Sequence, residues 1–137
     1  MARHLLQPHG GELKELLVDP SRAEELRRAS RDMPSWGLSD RQVRDLELLL
    51  NGGFSPLTGF LSRSDYEGVR DRMRLADGTL WPTPITLDVK RDLAEGLSPG
   101  DSLALRDPEG VLLAVMEVGD IWEPDRLEEA EGVYGIG

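Results

Sequence analysis

Apolar positions recur at helical spacing through the first half of the chain and alternate with polar ones through much of the second. Leu13, Leu16, Leu17 and Val18 permit one helical turn or a short extended piece. A surface helix follows, capped either by Asp19 with Pro20 at the first helical position or by Ser21 answered by Glu24. It carries Leu26 and Ala29 on one side, runs to Arg31, and is ended by Met33-Pro34-Ser35. Ser39 and Gln42 form a capping box for a stronger helix, with Val43, Leu46 and Leu50 on one face and Asn51-Gly52 as its stop. Ser64 and Glu67 predict a short third helix presenting Tyr66, Val69 and Met73. Asp77-Gly78 then predicts a two-residue hairpin turn, and Ile85, Leu87 and Val89 alternate as in a half-buried strand.

Leu103 and Leu105 begin the clearest β signal, and Asp107-Pro108-Glu109-Gly110 fits a type I turn. Val111 to Val118 returns as a nearly continuous apolar strand, which predicts burial on both faces. Asp120 to Trp122 extends that strand or bends away from it. From Asp125, the positions of Leu127, Ala130 and Tyr134 predict a last acidic helix, with Gly135-Ile136-Gly137 beyond it and no packing element after. Helices first, a compact turn region and then strands argue for an α+β domain with a small, mostly antiparallel or barrel-like sheet.

Composition narrows the partners. The chain has 137 residues, enough for one domain, and a net charge of −10. That charge opposes binding to nucleic acid or to an anionic membrane, because counterion release needs basic side chains. The absence of cysteine removes disulfides, thiolate metal sites and a thiol nucleophile. The first eight residues carry no apolar signal core, and the longest apolar run, Val111 to Met116, is far short of the ~20 residues needed to span a bilayer. The expectation is a cytoplasmic domain with no membrane partner.

Each candidate chemistry has a structural reading beside it. Gly52-Gly53-Phe54-Ser55-Pro56-Leu57-Thr58-Gly59 is rich in glycine, as a phosphate cradle would be. A P-loop, however, needs four residues between its glycines and a following Lys-Ser/Thr, and Pro56 withholds an amide. The segment therefore reads as a shaped connection within the stretch from Leu50 to Val89, which packs glycine and proline among aromatic residues. His4 and His9 lie near one end without a scaffolded partner and read as part of a tether packed on the domain. Glu117, Asp120, Glu123, Asp125, Glu128, Glu129 and Glu131 lack the Asp-x-Asx-x-Asx-Gly spacing of a calcium loop and read as a solvated face. Arg63, Arg70, Arg72 and Arg74 are interleaved with Asp65, Glu67 and Asp71, which favours surface ion pairing. Trp36, Trp81 and Trp122 read as core or interface anchors before base-stacking platforms.

Pro8-His9-Gly10-Gly11, Glu47 through Leu61 (Glu-Leu-Leu-Leu-Asn-Gly-Gly-Phe-Ser-Pro-Leu-Thr-Gly-Phe-Leu), Arg74 through Pro82, and Pro84 through Val89 closely resemble the N-terminal region of the ATP sulfurylase (sulfate adenylyltransferase) family. The resemblance continues through Glu129-Ala130-Glu131 and covers essentially residues 1–137. It implies a PUA-like domain, a small β pseudo-barrel decorated by helices. It also implies a parent enzyme, a nucleotidyltransferase of sulfate assimilation, that transfers the adenylyl group of ATP to sulfate and forms adenosine 5′-phosphosulfate and pyrophosphate. The Gln-x-Arg-Asn, His-x-x-His and Gly-Arg-Asp motifs that carry this family's chemistry do not occur in the chain. No catalytic, cofactor-binding or metal-ligating residue is therefore assigned. ATP with magnesium, and sulfate, are implied for the full-length family only. The expected partner is a catalytic domain of the same polypeptide, with homo-oligomer formation by the parent as a further option. The alternative reading is a stand-alone PUA-like module that binds RNA or protein.

Overall fold

Three helices of this protein begin where a side-chain oxygen reaches a free backbone amide. The computed structural model describes His9, residues 16–123 and residues 133–137. Helix α1 (Pro20–Ala29) takes the first of its two predicted starts: Asp19 accepts a hydrogen bond from the Arg22 amide, with Pro20 at the opening position. A 3-10 turn over Ser30–Asp32 extends it, and no side chain of α1 is fully buried. Strand β1 (Ser35–Gly37) comes next and was not anticipated, since three residues carry no periodicity. Helix α2 (Asp40–Leu50) has the expected capping box, with the Ser39 hydroxyl and the Gln42 side chain serving each other's backbone amides. Gly52, at φ 84, turns the chain away from it.

Helix α3 (Arg63–Arg72) starts two residues earlier than predicted. Ser62, not Ser64, is its cap and accepts the Asp65 amide, while Asp120 accepts the amide of Arg63 at 3.0 Å. Tyr66 and Val69 are buried as expected, but Met73 is exposed because it adopts the left-handed conformation (φ 55) that ends the helix. The following turn closes a three-residue loop in place of two. The Gly78 amide donates to the Leu75 carbonyl and the Leu75 amide to the Thr79 carbonyl, with Gly78 at φ 93. A type I turn followed by a left-handed glycine makes this loop, whereas a two-residue loop needs both central residues at positive φ.

Strand β2 (Leu87–Lys90) buries Leu87 and Val89, and the short helix α4 (Arg91–Glu95) follows it directly. Strands β3 (Ser102–Arg106) and β4 (Leu112–Glu117) form the predicted hairpin around Asp107–Gly110. Two three-stranded sheets result among the described residues. One has the order β1-β3-β4, with β1 parallel to β3. The other has the order β2-β6-β5, where β5 is Ile121–Trp122 and β6 is Val133–Ile136. Tyr134 thus lies in a strand and not in the predicted helix, and Ile136 is wholly enclosed together with Leu87 and Leu103. The expected end of the chain without packing is corrected by the same strand, which pairs on both sides. The rest of the predicted acidic helix, Leu127 and Ala130 included, falls outside the described residues. Helices beside two small sheets make the fold α+β, as expected.

Candidate functional site

The glycine-rich segment after α2 uses its amides on itself. The amides of Asn51 and Phe54 donate to the carbonyls of Glu47 and Leu48, and that of Gly53 to the Asn51 side chain. The amides of Ser55 and Leu57 donate to Gly52 and Phe54, and the Ser55 hydroxyl also bonds the Gly52 carbonyl at 2.6 Å. A phosphate cradle needs several amides converging on empty space, and these are spent closing the turn. The described residues therefore do not fit a nucleotide phosphate here. The segment is structural, as its spacing indicated.

The other candidates separate in the same way. His9 bonds the Leu80 carbonyl through Nε2 and packs against Trp81, so it ties the leading segment to the fold. His4, Asp125, Glu128, Glu129 and Glu131 lie outside the described residues. Among the described residues no group of three histidine or carboxylate side chains is close enough to hold a metal ion. Arg63 pairs with Glu67 at 3.1 Å, and Arg70 pairs with Asp71 at 2.8 Å while covering the Tyr66 ring. The hydrogen bond from Arg70 is the main reason the Asp71 carboxyl sits below its ordinary range. Arg72 and Arg74 form no ion pair among the described residues, so pairing accounts for part of that cluster. Trp81 and Trp122 are core residues, each with a buried Nε1 N–H that has no partner among the described residues, and Trp36 donates to Gln42. Neither buried ring offers a face on which a base could stack.

The surface feature that stands out was mispredicted from sequence. Val111 to Val118 was expected to be buried on both faces, yet β4 is an edge strand and none of its residues is fully buried. Beside it runs a groove of about 250 Å³, floored by Leu26, Leu50 and Leu112 to Val115 and walled by Leu16, Leu17 and Val18. The wall is set in place by a backbone hydrogen bond of 2.8 Å from the Leu16 amide to the Leu50 carbonyl, at the end of α2. Leu17 is 60% exposed, Val18 50% and Leu113 36%. Leu113 sits where the β3–β4 register slips, which pushes its side chain outward. Arg27 borders the groove at one end and joins it to a second hollow lined by Arg31 and Arg106. Such an apolar trough with a cationic end can bind a chain segment. It offers no nucleophile, carboxylate or imidazole with which to do chemistry. Continuous apolarity was the available signal for it, and only knowledge of the strand order could have turned that signal into an edge.

A family model described as a PUA-like domain matches residues 6–136. A sulfate adenylyltransferase of Eremothecium gossypii is 44% identical over 131 residues, covering 95% of this chain and 26% of that protein. One from Mycosarcoma maydis is 48% identical over 132 residues, covering 93% and 23%. The chain thus spans about a quarter of the length of these curated relatives. Among solved structures, one described as a hexameric APS kinase from Thiobacillus denitrificans superposes with a TM-score of 0.82 at 38% identity. That match covers 97% of this chain and 26% of the other.

Proposed function

The chain belongs to the PUA-like domain family, and we propose that it is the packing and positioning domain of an ATP sulfurylase whose catalytic residues lie elsewhere in a longer polypeptide. The observation that carries this reading is the overlap of nearly the whole chain with one quarter of proteins named sulfate adenylyltransferase. Those proteins' name describes transfer of an adenylyl group to sulfate, and the reaction proposed for the parent takes that group from ATP and forms adenosine 5′-phosphosulfate and pyrophosphate. The amides of Asn51, Gly53, Phe54, Ser55 and Leu57 are bonded within the glycine-rich turn or to the end of the preceding helix, and among the described residues no group of carboxylates forms a cation site. In this reading ATP, magnesium and sulfate are held by residues outside this chain. This reading places the protein in the cytoplasm, where ATP is available as substrate, and the hexameric neighbour supports assembly of several copies. A net charge of −10 gives no support to the alternative of an RNA-binding module.

The test is a pyrophosphate-release assay with ATP, magnesium and sulfate. The 137-residue chain is expected to show no turnover, and the same chain extended in its own reading frame to the relatives' length is expected to be active. Turnover by the short chain overturns the division of labour. An inactive extended chain overturns the sulfurylase assignment.

A further inference from the structure

The open edge of β4 and the path of the last residues point at each other. Val118 donates its amide to the Asp101 carbonyl at 2.8 Å and so faces β3. Successive amides along a strand face opposite sides, so those of Val115, Glu117 and Gly119 face away from β3. The Gly119 amide has a partner on that side, the Gly137 carbonyl at 2.9 Å, and the Gly137 amide returns a bond to Asp120 at 3.1 Å. The amides of Val115 and Glu117 have none among the described residues, because β4 pairs with β3 alone.

Register extends the point. Trp122 lies opposite Gly135 and Ile121 opposite Ile136, which sets Gly137 opposite Asp120. Asp120 also donates its amide to the Gly137 carbonyl, so Gly119 and Asp120 together oppose that one residue as in a bulge, and a chain continuing from there runs antiparallel to β4 on its unpaired side and comes level with Glu117 after about two residues. An exposed apolar edge invites pairing with another strand, and native proteins usually cover such an edge.

We propose that an extended segment of the polypeptide following Gly137 adds as a strand along the outer edge of β4, placing apolar side chains in the groove beside Leu113 and Val115. This rests on the reading that the chain is part of a longer sulfurylase, and it names the surface by which the two parts join. Main-chain bonds to Val115 and Glu117 would hold the segment, and the groove would select apolar residues at alternate positions.

The coding sequence is the first check, since a frame that closes at Gly137 overturns the proposal. Amide hydrogen exchange on the longer protein is the second. The expected result is that Val115 and Glu117 exchange about 100-fold or more slowly relative to an open amide, in the range of Leu103 and Met116, which pair across β3 and β4. Free exchange at Val115 and Glu117, with Leu103 and Met116 still protected, overturns it. Protection that disappears on dilution also overturns it, because a second copy is then the occupant. The exchange and the activity separate the two readings. An active protein with an open β4 edge loses only the added strand, and an inactive one with a covered edge loses only the sulfurylase assignment.

Discussion

Gly68 lies in the interior of α3, where alanine would ordinarily raise helix stability by ~1 kcal/mol. Here the sign reverses. Met73 turns the chain back so that the Arg74 amide reaches the Gly68 carbonyl at 3.2 Å. A Cβ on Gly68 would fall inside van der Waals contact with the Arg74 carbonyl oxygen, a backbone atom that cannot swing aside. We expect Gly68→Ala to cost about 1–3 kcal/mol by urea unfolding, as overpacking does; a gain in stability would show the contact to be slack. Asp45 on α2 yields a pH-dependent prediction. Burial raises its carboxyl above the ordinary value, with Arg41 and Arg44 acting in the opposite direction. A raised folded value means that stability from this group is full below the unfolded value, near pH 4, and is lost as pH rises through the folded one. Asp45→Asn should therefore raise the midpoint of thermal unfolding at pH 7, with the gain vanishing near pH 3. A gain that persists at pH 3 would point to some cause other than the charge. Neither effect is visible in sequence, where Gly68 is a helix weakness and Asp45 one more surface acid.

Helix α2 is where local and distant information meet. Its capping box was legible because Ser39 and Gln42 serve amides within one turn. What Gln42 also does was not. Its Oε1 accepts Trp36 Nε1 at 3.2 Å and its Nε2 donates to the Asp88 carbonyl at 2.9 Å. Trp36 belongs to β1 in one sheet and Asp88 to β2 in the other, so one buried amide ties both sheets to α2. Gln42→Leu roughly keeps the volume but leaves the Ser39 amide and two part-buried partners, Trp36 Nε1 and the Asp88 carbonyl, without their bonds, for an expected loss of about 2–3 kcal/mol. Ser39→Ala removes the cap alone and should cost about 1 kcal/mol. Equal losses in chemical denaturation would mean that the distant bonds contribute nothing. Turns repeat the lesson at Asp77 and Asp107. In each, the aspartate carboxylate accepts the amide two residues on, and a glycine at positive φ follows. The second turn was read correctly because proline marks it, and the first was read one residue short.

At the scale of the whole molecule, the starts of α1 and α2 and the β3–β4 hairpin were legible because each depends on residues close in sequence. The edge position of β4, the parallel pairing of β1 and the strand at Val133–Ile136 were not, because each depends on which distant segment lies alongside. The docking groove inherits that difficulty: its wall comes from Leu16 to Val18 and its floor from Leu112 to Val115, nearly a hundred positions away. Family motifs identified the domain, while its working surface appeared only when the strands were ordered. The place of β6 has a further consequence for synthesis. This strand lies between β2 and β5 although it is encoded after both. A ribosome adding residues at about 5–20 per second makes Leu87 and Trp122 available seconds before the strand that joins their sheet. During that interval the β1-β3-β4 sheet has all of its own strands, while the other sheet is two unjoined edges. The growing chain thus has one half able to close while the other waits on the codons for Val133–Ile136.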